Sequence, residues 1–262
     1  MILCADDYGL REEIDSAILE LCASQRLSAV SCMAALKACT VEKMAQVLRY
    51  RGTVNIGLHL CLTHEPVPFE PSLPGDSQSN TPPAFRNLLS QAVMGRVHAE
   101  QVVEDVAAQY HAFLKKSGTR PDFIDGHLHA HQLPGVRQAL ISFVSSLPPD
   151  SRPYIRNTRT RVSNLRRKRL PWSKAGFIGF FGSRLEHELR KAGLKTNEGF
   201  AGIYDFHAQS NYHDFLPLFI ECLPKQNGIL VVHPGRTEDW RKQEFEVLSQ
   251  FPFRPGTINK FS

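Results

Sequence analysis

Four segments far apart in this 262-residue sequence carry carboxylates and imidazoles in patterns that could do chemistry. They are Asp6-Asp7-Tyr8-Gly9, His59 inside the apolar run from Val54 to Leu62, Asp125-Gly126-His127-Leu128-His129-Ala130-His131, and His233-Pro234-Gly235. Hydrolysing an amide near neutral pH needs a nucleophile stronger than water, a polarised carbonyl and a proton for the departing amine. One carboxylate and two imidazoles around a divalent metal, with positions open for water and substrate and a second carboxylate close by, supply the first two.

Each segment alone also has an ordinary reading. Asp6-Asp7 before Gly9 suits a turn or a helix N-cap. On an extended strand neighbours face opposite sides, whereas a turn at the strand end brings both into one pocket, one to bind metal and one to stay free as base. His59 could be a hydrogen-bonded core histidine. If the strand continues past Asp125, period two puts His127, His129 and His131 on one face; if the chain turns at Gly126, one ligates and the others orient it or touch substrate. A surface histidine tract is the alternative. His233-Pro234 after Ile-Leu-Val-Val has the position of a general acid or of a plain loop histidine. Convergence of all four on one face favours the chemical reading.

The elements that must position them follow from apolar rhythm. Short runs rich in β-branched residues alternate with longer stretches of helical period, the signature of a parallel sheet with crossover helices. Strands are expected at 2–5, 29–36, 54–62, 123–125, 154–156, 200–206 and 229–232, with a short one at 257–261. Helices are expected around 14–22, 84–94, 99–115, 136–144, 177–192, 215–222 and 240–251, and the Pro-rich stretch 66–83 reads as a long loop. About seven strand–helix units fall just short of the eightfold barrel. The expectation is an α/β fold, a distorted or incomplete (β/α) TIM-like barrel with outer helices, in one domain over residues 1–262. In such barrels the site lies at the carboxyl ends of the strands, where all four segments fall.

Composition, at 42% hydrophobic and 22% charged, argues against disorder and fibrous repeats. No apolar run reaches the roughly 18 residues needed to span a bilayer, and Met1 to Ala5 run straight into Asp6 without a basic segment or cleavage site, so a cytoplasmic protein is expected. Six scattered cysteines read as reduced, mostly buried thiols. The net charge of +5 is concentrated between Arg156 and Arg169, with Arg159, Arg161, Arg166, Arg167 and Lys168 between. This reads as a solvated basic loop, with nucleic acid, an anionic membrane or an acidic substrate as alternatives.

In order and spacing, Ala5-Asp6-Asp7-Tyr8-Gly9, Gly57-Leu58-His59-Leu60, Asp125 to His131 and Val232-His233-Pro234-Gly235 resemble the YdjC-like carbohydrate deacetylases, which include chitooligosaccharide and hopanoid-biosynthesis deacetylases. The resemblance covers nearly the whole chain. It implies a distorted barrel in which Asp7, His59 and His127 hold one divalent metal ion, zinc or magnesium. It also makes Asp6 the general base that activates water and gives His233 the role of acid toward the departing amine. His129, His131, Arg156 and Tyr204 are the candidates for substrate contact. The segment from Gly193 to Phe206 is similar to a stretch of the hopanoid-associated branch, which tilts the substrate toward a lipid-linked or glycan amino sugar.

The expected partner is an N-acetylated sugar or oligosaccharide, with acetate as product and no nucleic acid. A peripheral contact with a membrane or lipid-linked substrate, and a homodimer, stay open. The rival reactions are those of a metal phosphoesterase or another amidohydrolase. A different class of reading is a nucleic-acid or membrane-surface binding protein built on the arginine cluster.

Overall fold

Seven of the apolar runs form parallel strands: β1 (Ile2–Tyr8), β2 (Ala29–Cys32), β3 (Asn55–Leu60), β4 (Phe123–Gly126), β5 (Tyr154–Ile155), β6 (Gly199–Ala201) and β7 (Gly228–Val232). A computed structural model describes residues 1–63, 84–207 and 211–253. The Pro-rich stretch 66–83 and the expected strand at 257–261 lie outside the described residues. The strands pair in the order β5-β4-β3-β2-β1-β7-β6 and curl into a half-barrel, the incomplete TIM-like barrel expected from the rhythm. They are buried almost throughout, as a parallel sheet covered on both faces requires.

Nine helices are found among the described residues: α1 (Glu12–Ala23), α2 (Val41–Leu48), α3 (Phe85–Val93), α4 (Ala99–Ser117), α5 (Val136–Ser146), α6 (Val162–Arg167), α7 (Ser173–Lys191), α8 (Tyr212–Cys222) and α9 (Asp239–Gln250). The core-facing stripe of α1 is Ile14, Ala17, Ile18, Leu21 and Cys22, the set that helical spacing predicts. No described helix is long and apolar enough to cross a membrane. Five of the six cysteines are buried and all six are free thiols.

Several boundaries differ from expectation for local reasons. β2 stops at Cys32 because the chain turns there, Leu36 N–H donating to Met33 O at 3.0 Å. β6 ends at Ala201, ahead of Gly202 at φ +107°, where a side chain would collide with the Val231 carbonyl. α2 and α6 went unanticipated because each buries too few apolar residues for a periodic signal, Met44 and Val47 in one and Leu165 in the other. The basic stretch is not uniformly solvated. Arg161, Arg166, Arg167 and Arg169 are exposed, but Arg156 is completely buried, because two carboxylates wait for it inside the barrel.

Between the edge strands β5 and β6 the described residues form no ladder but a single parallel bridge from Ile155 to Thr196, where Ile155 N–H donates to Lys195 O at 3.0 Å. Side chains close the seam instead. Asn157 N–H donates to Asn197 Oδ1 at 2.8 Å, Asn157 Nδ2 to Asn197 O at 2.7 Å, and Asn197 Nδ2 returns a bond to Asn157 O at 2.8 Å. Two asparagines thereby replace the missing strand pairing.

Candidate metal centre

β1 carries the first half of the site because it is irregular. Ala5 pairs with Val30 and Tyr8 with Cys32, so β1 accommodates one extra residue between them. Asp7 takes up that residue with φ +71°, a left-handed conformation that aspartate tolerates better than most residues. Both Asp6 and Asp7 end up buried near the carboxyl ends of the strands, the turn alternative of the sequence reading.

The histidine-rich segment takes the turning alternative too. β4 ends at Gly126, and residues 127–132 coil tightly with Leu128 at φ +51° and His129 at φ +57°. His127 is thereby separated from its neighbours. Its Nδ1 lies 3.1 Å from Asp7 Oδ1, and His59 Nε2 lies 3.5 Å from the same oxygen. One donor atom from each of Asp7, His59 and His127 falls within 4.8 Å of the others. Two donors each about 2.1 Å from one ion, at tetrahedral angles, stand about 3.4 Å apart. The observed separations have that scale, so these residues fit a divalent cation.

Charge supports the fit. With His59 neutral, as a metal ligand must be, the buried carboxylates of Asp6, Asp7 and Asp125 exceed the buried guanidinium groups of Arg156 and Arg241 by one negative charge for a cation to neutralise. Burial disfavours charge on Asp7, but Arg241 foremost, with His127 and His59, holds its carboxyl well below the usual carboxylate range. Burial likewise works against charge on His59, yet Asp125, Asp6 and Asp7 outweigh it and raise the ring to about 10. Behind His59, Asp125 Oδ1 sits 2.7 Å from Nδ1 and accepts a bond from Ser31 Oγ at 2.5 Å, an arrangement that turns Nε2 toward Asp7.

Asp6 stays outside the donor cluster. Its two oxygens accept from Arg156 NH1 at 2.7 Å and NH2 at 2.6 Å, and His233 Nε2 lies 3.9 Å from Oδ2. Burial is the first cause that lowers His233, to about 4, Asp7 and Asp6 opposing it and Arg241 and Arg156 reinforcing it. The ring is therefore neutral at pH 7, packed edge-on to Phe206 with centroids 5.3 Å apart.

The sequence profile of the family described as YdjC-like protein matches residues 1–255. The chain belongs to the YdjC-like family. It is 26% identical over 144 residues to a chitooligosaccharide deacetylase of Klebsiella pneumoniae (strain 342), covering 55% of this chain and 54% of that one. It is 31% identical over 142 residues to a carbohydrate deacetylase of Homo sapiens, covering 53% of this chain and 43% of the relative. The matched stretch thus spans about half the length of these curated relatives. Among solved structures, an Enterococcus faecalis V583 protein named for cellobiose-phosphate cleavage superposes with a TM-score of 0.67 at 19% identity, over 95% of this chain and 90% of that one. That likeness is one of fold.

Within this YdjC-like chain the remaining candidates are placed as follows. His129 is buried against Phe200, ring centroids 5.5 Å apart. His131 is wholly enclosed, its Nε2 donating to Arg156 O at 2.8 Å. Arg156 spans Asp6 and Asp125, and the Tyr204 hydroxyl donates to Glu244 Oε1 at 2.6 Å. Sequence reasoning missed Ser31, Arg241 and Glu244 and quoted Asp125 only as part of a motif. Arg241 NH2 donates to Asp7 Oδ2 at 2.7 Å, and Glu244 accepts the His233 backbone N–H. The available signal was on α9, whose inward positions are Arg241, Glu244 and Leu248, two of them charged where an apolar stripe was due.

Proposed function

We propose that this chain hydrolyses the N-acetyl group of an acetylated amino sugar, releasing acetate and the free amine. The observation that carries the reading is a spare buried carboxylate, Asp6, beside a three-donor cluster fit for a divalent cation. The names of the curated relatives, chitooligosaccharide and carbohydrate deacetylase, support the substrate class.

Asp7, His59 and His127 would hold the cation, two imidazoles and one carboxylate suiting zinc and not excluding magnesium. A cation there supplies Lewis acidity toward the acetyl carbonyl and the attacking water. Asp6, held in place by both guanidinium nitrogens of Arg156, accepts the proton of water as its oxygen attacks the carbonyl carbon. His233 begins neutral, so it must first be charged before it can donate; Asp6 lies 3.9 Å away, a short path for that proton. It then passes to the amine nitrogen as the C–N bond breaks. His131, Arg156 and Tyr204 are assigned to positioning, since His131 Nε2, two guanidinium nitrogens of Arg156 and the Tyr204 hydroxyl are bonded within the protein. The reading places the chain in the cytoplasm and takes residues 1–262 as one working unit.

The test is acetate release from N-acetylated chitooligosaccharides and lipid-linked acetamido sugars, coupled to elemental analysis of the purified protein. Stoichiometric divalent metal with acetate release supports the reading. Hydrolysis of phosphate esters with none of acetylated sugars, or a metal-free active protein, overturns it.

A further inference from the structure

The stretch of chain richest in positive charge is also rich in exposed aromatic surface. From Arg156 to Arg184 the sequence holds no acidic residue. Arg161, Arg166, Arg167, Arg169, Lys174 and Arg184 are exposed there, while Arg159 and Lys168 are paired with Glu186 and Glu221 from elsewhere. In the same stretch Trp172, Phe177 and Phe180 are 46%, 52% and 56% exposed. Phe177, Phe180 and Arg184 follow one another at intervals of three and four on α7 and share a face. Arg166 lies over the Trp172 ring at 5.0 Å and Arg184 over Phe180 at 5.6 Å, so cations and exposed rings are paired at both ends of the stretch, and α6 approaches α7 where Val162 meets Gly176.

We propose that this face of α6 and α7 docks on an anionic lipid bilayer. Aromatic rings favour the depth of the headgroup boundary, and a surrounding group of cations favours acidic headgroups. A platform for stacking neutral sugar rings would have no use for six exposed cations. A two-fold self-interface would set the cations of one copy against those of the other, at a cost in like-charge repulsion. The face adjoins the candidate site: Lys174 Nζ is 4.4 Å from the Phe206 ring centroid, and Phe206 packs on His233. Docking would therefore leave the site beside the lipid surface.

The experiment is sedimentation of the whole protein with vesicles of phosphatidylcholine, alone or mixed with phosphatidylglycerol, at low and high salt, with Trp172 emission recorded. Binding to the mixed vesicles that weakens with salt, with a blue shift absent in Trp172→Phe, is expected. Phe177→Ser with Phe180→Ser should weaken binding at least about tenfold, and each of Arg166→Gln, Arg167→Gln and Arg169→Gln about fivefold. Circular dichroism establishes that each variant is folded. No sedimentation with mixed vesicles at low salt, or binding unchanged in both variant sets, overturns the proposal. So does a dimer that the phenylalanine variants dissociate without any vesicle binding. Loss of deacetylation of a soluble oligosaccharide in those variants, again without vesicle binding, would instead make the face a substrate platform and overturn it. Sedimentation needs no activity, so failure here and failure of the deacetylase reading are separable.

Discussion

Asp6 and Asp7 are separated by one peptide bond yet meet different cations, Arg156 on one side and Arg241 with two imidazoles on the other. That division depends on the positive φ of Asp7, which keeps Asp6 free of the donor cluster. Asp6→Asn keeps the shape of the side chain and one acceptor for Arg156 but removes the proposed base. Its kcat for acetate release should fall by about 10²- to 10⁴-fold with metal content per chain unchanged, a pair of readings that assay and elemental analysis give together. Asp125 bonds His59 from the side away from Asp7, and in the proposed site it would orient that ring. Asp125→Asn should weaken divalent-cation affinity by about 10- to 100-fold in a competition titration, because the ring loses the carboxylate that orients it.

At the scale of the element, α9 reaches into the site with charged residues where most helices bury aliphatic ones. Arg241→Met keeps roughly the volume but strands the Asp7 carboxylate, so unfolding in urea at pH 7 should show a loss of about 3–5 kcal/mol. Saturating divalent cation should recover part of it, since it binds the folded form. Glu244 gives a pH signature. Burial raises its carboxyl to about 7, with Tyr204, the His233 N–H and Arg241 holding it down only in part. Between the ordinary glutamate value and about 7 the folded chain binds more protons than the unfolded one. Stability from this group is thus full below about pH 4.5, falls as pH rises to about 7, and is then lower by about 3 kcal/mol. Glu244→Gln should flatten that part of the curve of melting temperature against pH.

The same helix shows where sequence reading stopped. The order of the elements and the convergence of the four chemical segments could be argued from β-branched runs and strand-end position, whereas the choice of Asp7, His59 and His127 came from the family resemblance. The roles of Arg241, Glu244 and Ser31 could not, because each is a single polar residue whose partner is chosen only by packing. The positive φ values of Leu128 and His129 were equally hidden, though the alternative of a turn at Gly126 pointed toward them.

Across the whole molecule the half-barrel is held shut at its β5–β6 seam by side-chain amides. Asn197→Ala would leave the backbone groups of Asn157 buried without partners, at a cost of about 2–4 kcal/mol in chemical unfolding, whereas an exposed asparagine changed in the same way would cost little. One strand in from the β6 edge lies another long-range closure: β1 pairs with β7, and Asp7 meets Arg241 across 234 positions. A nascent chain still on the ribosome at α8 has made Asp7, His59 and His127 but not the guanidinium that fixes Asp7. The guanidinium that holds Asp7 is thus the last part of the candidate site to leave the ribosome, and a chain cut short before α9 would carry the three donors without the tether of the first.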